Sequence, residues 1–409
     1  MKKFDRAMQI LFAGFCINLC MGILYAWSVF KKALVVDLGW SNADASLPYT
    51  VAIITFSLSL LVAGILQDRM GPRKVLILGT VMVGLGMIVS SFANSPMMLV
   101  LTFGILTGCG IGFGYACLSP SAMKWFHPSK KGLVNGLIAA GFGLAAVYLA
   151  PLTSMLISTY GINTSFLILG IAVIIIAVPL AFTINNPPAD YVPEAPKGYD
   201  ATNKSTKIVD IDWRGMLKTP QFYSLWVMYA FASAAGLMII GNITSIAATQ
   251  ANITDAAYLV VILAIFNSGG RVVAGILSDK IGGVKTLMLA FIMQGINMVM
   301  FASFKTDFTL IIGAAVAGVG YGTLLSVFPS IIADFYGLKN YGANYGVLYT
   351  AWGVSGFIGP VVAALAVDTT GTYTLAYTVC SVMIAVAVVL SFITKKVDAE
   401  ALEKKLASA

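Results

Sequence analysis

The chain has 409 residues, of which 59% are hydrophobic and only 10% charged, with a mean hydropathy of +0.89 and a formal net charge of +8. Soluble domains carry about 25% charged residues, so a soluble fold of this size is excluded; so much apolar surface needs an apolar solvent. The positive charges sit in short clusters between long apolar runs and form no basic stripe, which excludes a nucleic-acid interface and points to membrane topology.

A membrane span needs about 20 mostly apolar residues. In chain order the sequence predicts spans near 7–30, 46–67, 74–93, 97–121, 133–156 and 163–184. A polar stretch follows, 185–218, with Pro187, Pro188, Pro193 and Pro196 and many of the acidic residues. Six further spans are predicted near 220–246, 255–277, 285–303, 308–333, 342–366 and 373–394. The first run follows Met1-Lys2-Lys3 without a clear cleavage site and leads into further spans, so it reads as the first helix and not as a cleaved signal. The expected organisation is a six-helix bundle over 1–184, a cytoplasmic linker over 185–218, a second bundle over 219–396 and a cytoplasmic tail over 397–409.

Lys and Arg set the orientation. With the N-terminus inside, 21 of the 25 basic residues fall on the cytoplasmic side, and only Lys31, Lys32 and Lys305 fall outside. Arg271 is left within a span. Both termini and the linker are therefore expected in the cytoplasm, with the chain in a plasma (inner) membrane. The five cysteines, Cys16, Cys20, Cys109, Cys117 and Cys380, lie in apolar runs and read as small buried thiols. There is no CxxC and a single histidine, His127, at the end of span 4. No metal and no cofactor are expected.

An internal repeat is readable. Gly64, Asp68, Gly71 and Lys74 after span 2 recur 211 residues later as Gly275, Asp279, Gly282 and Lys285 after span 8. Gly132, Gly136 and Gly143 recur as Gly342, Gly346 and Gly353, and Gly114-Tyr115 as Gly320-Tyr321. Gly71 and Gly282 permit a sharp turn, and Asp68 and Asp279 can accept hydrogen bonds from helix N-terminal amides. The stretch Gly64-x-x-x-Asp68-Arg69-x-Gly71-x-Arg73-Lys74 resembles the signature of the major facilitator superfamily, with a weaker copy at Asp279–Lys285. The resemblance covers the whole chain. It implies an all-α integral membrane protein of twelve transmembrane helices, in two pseudo-symmetric six-helix bundles around a central cavity, working by alternating access.

Gly108, Gly110, Gly112 and Gly114 share one run, and Gly318, Gly320 and Gly322 its partner. No strand precedes either, and no Gly-Lys-Ser/Thr follows, so neither is a nucleotide loop. Close helix packing through Gly108/Gly112 and Gly110/Gly114 is one reading. A second adds the hydroxyls of Tyr115 and Tyr321 to a cavity.

Arg271 is the expensive residue. All 17 acidic residues fall in loops, tails or span ends, so the predicted spans hold no obvious carboxylate for it. A charge at that depth costs at least about 2.5–3.5 kcal/mol on insertion scales, and arginine does not lose its proton. Such a guanidinium suits a bidentate carboxylate ligand, and Asn267, one turn earlier, lies on the same face. The alternative is a structural Arg satisfied by helix carbonyls or a distant acid.

The text around it, Asn267-Ser-Gly-Gly-Arg271 and Ser278-Asp279-Lys280-Ile281-Gly282, resembles the oxalate/formate antiporter branch, which includes bacterial lactate and pyruvate transporters. Tyr25-Ala-Trp27-Ser28, Lys124-Trp125-Phe126, Thr219-Pro220-Gln221-Phe222 and Asn340-Tyr341-Gly342 fit too. In that branch the helix 8 arginine binds substrate carboxylate, which is what the resemblance implies for Arg271. The branch's oxalate transporters carry a lysine on helix 11, whereas this chain has Trp352 there. One cation neutralises one carboxylate, so a small monocarboxylate such as lactate, pyruvate or formate is preferred over a dianion.

The expected substrate set is Arg271 with Asn267, Tyr115 and Tyr321 as hydrogen-bonding groups, and Leu24, Tyr25 and Trp352 shaping the pocket. Trp352 offers an apolar wall and an indole donor, or plain packing. No ATP motif is present, so a gradient is the expected driving force, in a protein that functions as a monomer. Coupling stays open between proton symport, which is preferred, and anion exchange. A membrane-embedded enzyme would need a catalytic pair within the spans, and none is readable.

Overall fold

The computed structural model describes residues 3–188, 190–194, 210–253 and 256–394. Much of the predicted linker, with Pro196, Lys197, Lys204 and Lys207, lies outside the described residues, as do Lys2, Lys395, Lys396 and the tail 397–409. The described chain is helical: α1 (Lys3–Met21), α2 (Trp27–Leu38), α3 (Asn42–Met70), α4 (Pro72–Ser90), α5 (Pro96–Leu99), α6 (Gly108–Met123) and α7 (Lys131–Ala181) come first. Then come α8 (Trp213–Leu217), α9 (Pro220–Ala251), α10 (Ala257–Ile281), α11 (Gly283–Phe301), α12 (Asp307–Tyr336), α13 (Tyr341–Thr370) and α14 (Thr374–Ile393). Among the described residues eleven segments are long and apolar enough to cross a bilayer. One of these, Pro128–Ala181, breaks at Gly161 (φ 79°, ψ 168°), which makes twelve passes of a multi-pass membrane protein.

The chain divides into two compact units. The first is Met1–Trp125 with Leu137–Ala189, and the second is Phe126–Gly136 with Asp190–Ala409. The first turns of α7 therefore group with the second unit, while the rest of that helix belongs to the first.

In the first unit the glycine run of α6 is packing surface. A Cβ on Gly108 would lie 2.7 Å from the Ala52 carbonyl oxygen of α3, and one on Gly112 2.5 Å from that of Phe56. A Cβ on Gly110 would lie 2.7 Å from the Gly79 carbonyl oxygen of α4. Two stripes of one helix thus admit two neighbours at backbone contact. Serine and threonine fasten the approach: Thr55 Oγ1 donates to the Gly104 carbonyl at 2.7 Å and Ser59 Oγ to that of Cys109 at 3.2 Å.

Two first-unit spans are less regular than the sequence suggests. The predicted helix 7–30 tightens into a 3₁₀ turn at Gly22–Ala26. The turn is closely packed: a Cβ on Gly22 would overlap Ala145 and lie 2.9 Å from the Phe142 carbonyl oxygen. The Tyr148 hydroxyl donates to the Leu19 carbonyl at 2.9 Å beside the break. In the fourth span, Val100–Thr107 widens into a π-helical stretch. Thr107 Oγ1 covers the Thr102 carbonyl there at 3.3 Å. Irregular backbone within a bilayer persists only where such partners exist.

The long helices of the second unit, α9 to α14, run without 3₁₀ or π interruption. Gly282 (φ 92°) turns α10 sharply into α11, as Gly71 (φ 82°) turns α3 into α4; a side chain at either would be strained. The segment before α8 is pinned to this unit. Ile211 N–H donates to Tyr336 O at 3.0 Å, and Asn344 Nδ2 to Ile211 O at 2.8 Å.

Candidate functional site

Four of the seven candidate substrate residues lie in the second unit. Arg271 stands in the interior of α10 with no exposed surface, and its Nε donates to Asn267 Oδ1 at 3.2 Å. The i, i+4 spacing makes this bond local to the helix. It also orients the amide: Oδ1 is turned to the guanidinium, so the NH₂ end presents donors. Asn267 lies against α12, where a Cβ on Gly322 would sit 3.0 Å from Asn267 Oδ1.

Next to Gly322 comes Tyr321, which is buried and held from two sides. Trp352 Nε1 of α13 donates to its hydroxyl oxygen at 2.7 Å. On α9, a Cβ on Gly236 would stand 2.6 Å from Tyr321 Cδ2, so the ring rests directly on that helix backbone. Trp352 is in turn backed by an aromatic column on its own helix: Tyr349 (ring centroids 5.0 Å away), then Tyr345 and Tyr341. From sequence Trp352 offers an apolar wall and an indole donor, or plain packing; in the structure its N–H meets the Tyr321 hydroxyl oxygen.

The other three candidates lie in the first unit. Leu24 and Tyr25 fall in the 3₁₀ turn. Tyr25 meets Phe142 edge-on at 5.7 Å, and Tyr115 meets Phe142 at 5.4 Å and Phe56 at 5.7 Å. Phe142 links the two tyrosines, and sequence reasoning did not single it out. Gly236 was missed as well, because nothing local distinguishes it from other packing glycines.

Both copies of the repeated loop motif make hydrogen bonds. Asp279 Oδ1 and Oδ2 accept from the backbone amides of Gly132 (2.7 Å) and Leu133 (2.8 Å), at the start of α7. A carboxylate on a helix N-terminus is favoured by its exposed N–H groups and dipole. Asn135 Nδ2 donates to Ser326 O at 2.6 Å, and Lys131 pairs with Asp334 at 3.3 Å, so the same turn is also held by α12. In the first copy Asp68 accepts from Gln67 Nε2 at 2.8 Å, Arg73 Nε donates to Ile184 O at 3.4 Å, and Arg69 is exposed. His127 caps the turn before α7, its Nδ1 accepting from the Ser129 amide at 3.3 Å. Partial burial, then the neighbouring Lys130, lowers its pKa, which favours the neutral ring.

What this arrangement can do chemically is bind an anion. A permanently charged guanidinium is fixed inside a membrane helix, with oriented amide and phenol groups built around the same helix pair.

The profile of the Major Facilitator Superfamily matches residues 10–296 and 236–408. The chain is 29% identical over 357 residues to the "Uncharacterized MFS-type transporter YhjX" of Escherichia coli (strain K12), covering 86% of each. It is 29% identical over 365 residues to the "Oxalate:formate antiporter" of Oxalobacter formigenes, covering 87% of this chain and 83% of that one. It is 25% identical over 391 residues to "Monocarboxylate transporter 13" of Rattus norvegicus, covering 91% and 85%. In fold it is similar to the human organic anion transporter MFSD10 (TM-score 0.70, 12% identity, 96% of this chain and 100% of that one). A similar likeness holds for the E. coli fucose:proton symporter FucP (TM-score 0.70, 14% identity, 94% and 98%).

Proposed function

This chain belongs to the major facilitator superfamily, and from that premise we propose that it is a secondary transporter of small monocarboxylates of the lactate, pyruvate or formate class. The observation that carries the proposal is Arg271, a fully buried guanidinium in the interior of α10, bonded through Nε to Asn267. Its two terminal nitrogens have the fork geometry that a carboxylate matches. Binding an anion neutralises the charge and lowers the cost of closing a low-dielectric site around it. A single interior guanidinium balances one carboxylate and leaves a dianion half-compensated. The relatives named for oxalate:formate exchange and for monocarboxylate transport support the substrate class.

In this reading the chain sits in the plasma (inner) membrane with both termini cytoplasmic, as its basic residues suggest, and acts as a monomer. The driving force is a gradient, with a proton accompanying the anion. Oxalate/formate or other organic-anion exchange is the second reading, favoured by the name of one relative. Uptake of labelled lactate, pyruvate, formate and oxalate into proteoliposomes, with and without an imposed proton gradient, separates the two. Monocarboxylate uptake that rises with an inward proton gradient is expected. A preference for oxalate, or uptake that needs a preloaded counter-anion and ignores the gradient, sinks the first reading.

A further inference from the structure

We propose that Trp352 is a positioning residue: its indole N–H fixes the Tyr321 hydroxyl as an outgoing donor, so that the site recognises an ionised carboxylate and rejects its neutral analogues. The proposal rests on the reading of Arg271, Asn267 and Tyr321 as the substrate site and adds how one of its groups acquires a defined polarity.

A phenol is ambivalent, since its oxygen accepts and its proton donates. An indole nitrogen is not, because Nε1–H only donates. At the 2.7 Å contact the Tyr321 oxygen must therefore be the acceptor, and its own proton turns away from Trp352. The ring has little freedom to change this. It lies on the backbone of α9 at Gly236, while Trp352 leans on Tyr349, Tyr349 meets Tyr229 edge-on, and Tyr229 stacks on Phe328 at 4.3 Å. The Asn267 amide is oriented by the same logic, with Oδ1 committed to Arg271. Arg271 has donors only. All three groups then offer hydrogens, and a ligand that must itself donate, such as a protonated acid or a primary amide, leaves donors facing donors. Sites of fixed polarity discriminate strongly because the wrong ligand strands buried polar groups.

The internal repeat supplies an independent observation. Gly143 recurs as Gly353 and Tyr115 as Tyr321, so Phe142 is the counterpart of Trp352. The first unit keeps the aromatic pair, with Tyr115 and Phe142 edge-on at 5.4 Å, but Phe142 has no N–H to give. The two copies share the packing and differ in the donor.

The test is a double-mutant cycle of W352F and Y321F, read as KM and Vmax for pyruvate uptake in proteoliposomes, with pyruvamide as competitor. Losing one hydrogen bond to a charged ligand corresponds to about a tenfold change. W352F is expected to raise the pyruvate KM about tenfold, with Vmax little changed, and to let pyruvamide compete. On the Y321F background the same substitution should cost nothing further. Trp352→His, which regains a ring N–H, should recover part of the affinity. An unchanged KM in W352F, equal losses in both backgrounds, or no competition by pyruvamide overturns the proposal, because a bond between the two side chains makes their losses non-additive and lost packing alone does not admit the neutral analogue. If W352F is not monodisperse, W352M replaces it in the same cycle. If the wild type transports no monocarboxylate, the functional reading has failed; if it does and the cycle is additive, only this inference has.

Discussion

Four positions of the repeat show how one architecture came to hold two chemistries. In the first unit they are Phe56, Leu60, Tyr115 and Phe142; in the second, Asn267, Arg271, Tyr321 and Trp352. The first set makes an apolar cluster in which Phe56, Tyr115 and Phe142 meet one another at 5.4 to 6.1 Å and Leu60 is fully buried. The second keeps the same helix faces but makes hydrogen bonds, from Arg271 to Asn267 and from Trp352 to Tyr321. Backbone regularity runs the other way. The unit with the apolar cluster carries the 3₁₀ turn and the π-helical stretch, and the unit with the charge has unbroken α9, α10, α12 and α13. A buried guanidinium needs fixed geometry, and regular helices supply it; an apolar cluster tolerates a bent frame, provided hydroxyls cover the carbonyls that the bends release.

The comparison breaks first at Arg271 and Leu60. Arg271→Ala should reduce monocarboxylate uptake about a hundredfold or more, since it removes every charge-assisted bond to the anion, while the protein stays monodisperse. Leu60→Ala should leave KM nearly unchanged and lower stability by about 2–4 kcal/mol, as a buried leucine truncation does. Uptake and thermal midpoint in detergent check both, and normal uptake by Arg271→Ala would remove the chemical difference between the units. Gly112→Ala should come next, destabilising by about 1–3 kcal/mol because α3 and α6 must separate. A midpoint equal to wild type would mean that the glycine stripe is not what brings these helices together. The smallest effect is expected at the 3₁₀ turn, where Tyr148→Phe removes one bond to Leu19 and about 1 kcal/mol. A much larger loss would show that the turn depends on that hydroxyl alone.

The spans, the repeat and the glycine stripes were legible because each is written locally, as hydropathy, as a fixed offset or as small residues at helical spacing. Arg271 with Asn267 was legible for the same reason, being an i, i+4 pair on one face. The breaks in the first and fourth spans were not. Gly22–Ala26 and Val100–Thr107 look like ordinary apolar helix, and the groups that meet them there, Ala145, Tyr148 and Thr55, come from other helices. The sequence also placed Asp279 near helix amides without saying which. The partners, Gly132 and Leu133, lie 147 and 146 residues earlier. The bond from Trp352 to Tyr321 was not legible either, because it crosses between helices and no periodicity reports that.

That long separation also bears on how the protein is made. The residues 126–136 that group with the second unit are synthesised well before the carboxylate that caps them. At about 5–20 residues per second, the interval is roughly seven to thirty seconds. Through that time the opening turn of α7 has its amides without their eventual acceptor. Neither unit is a continuous stretch of chain, so cutting the polypeptide near residue 189 would not yield two self-sufficient halves. The later fragment would lack the turn that Asp279, Ser326 and Asp334 hold, and would need the earlier one present to recover it.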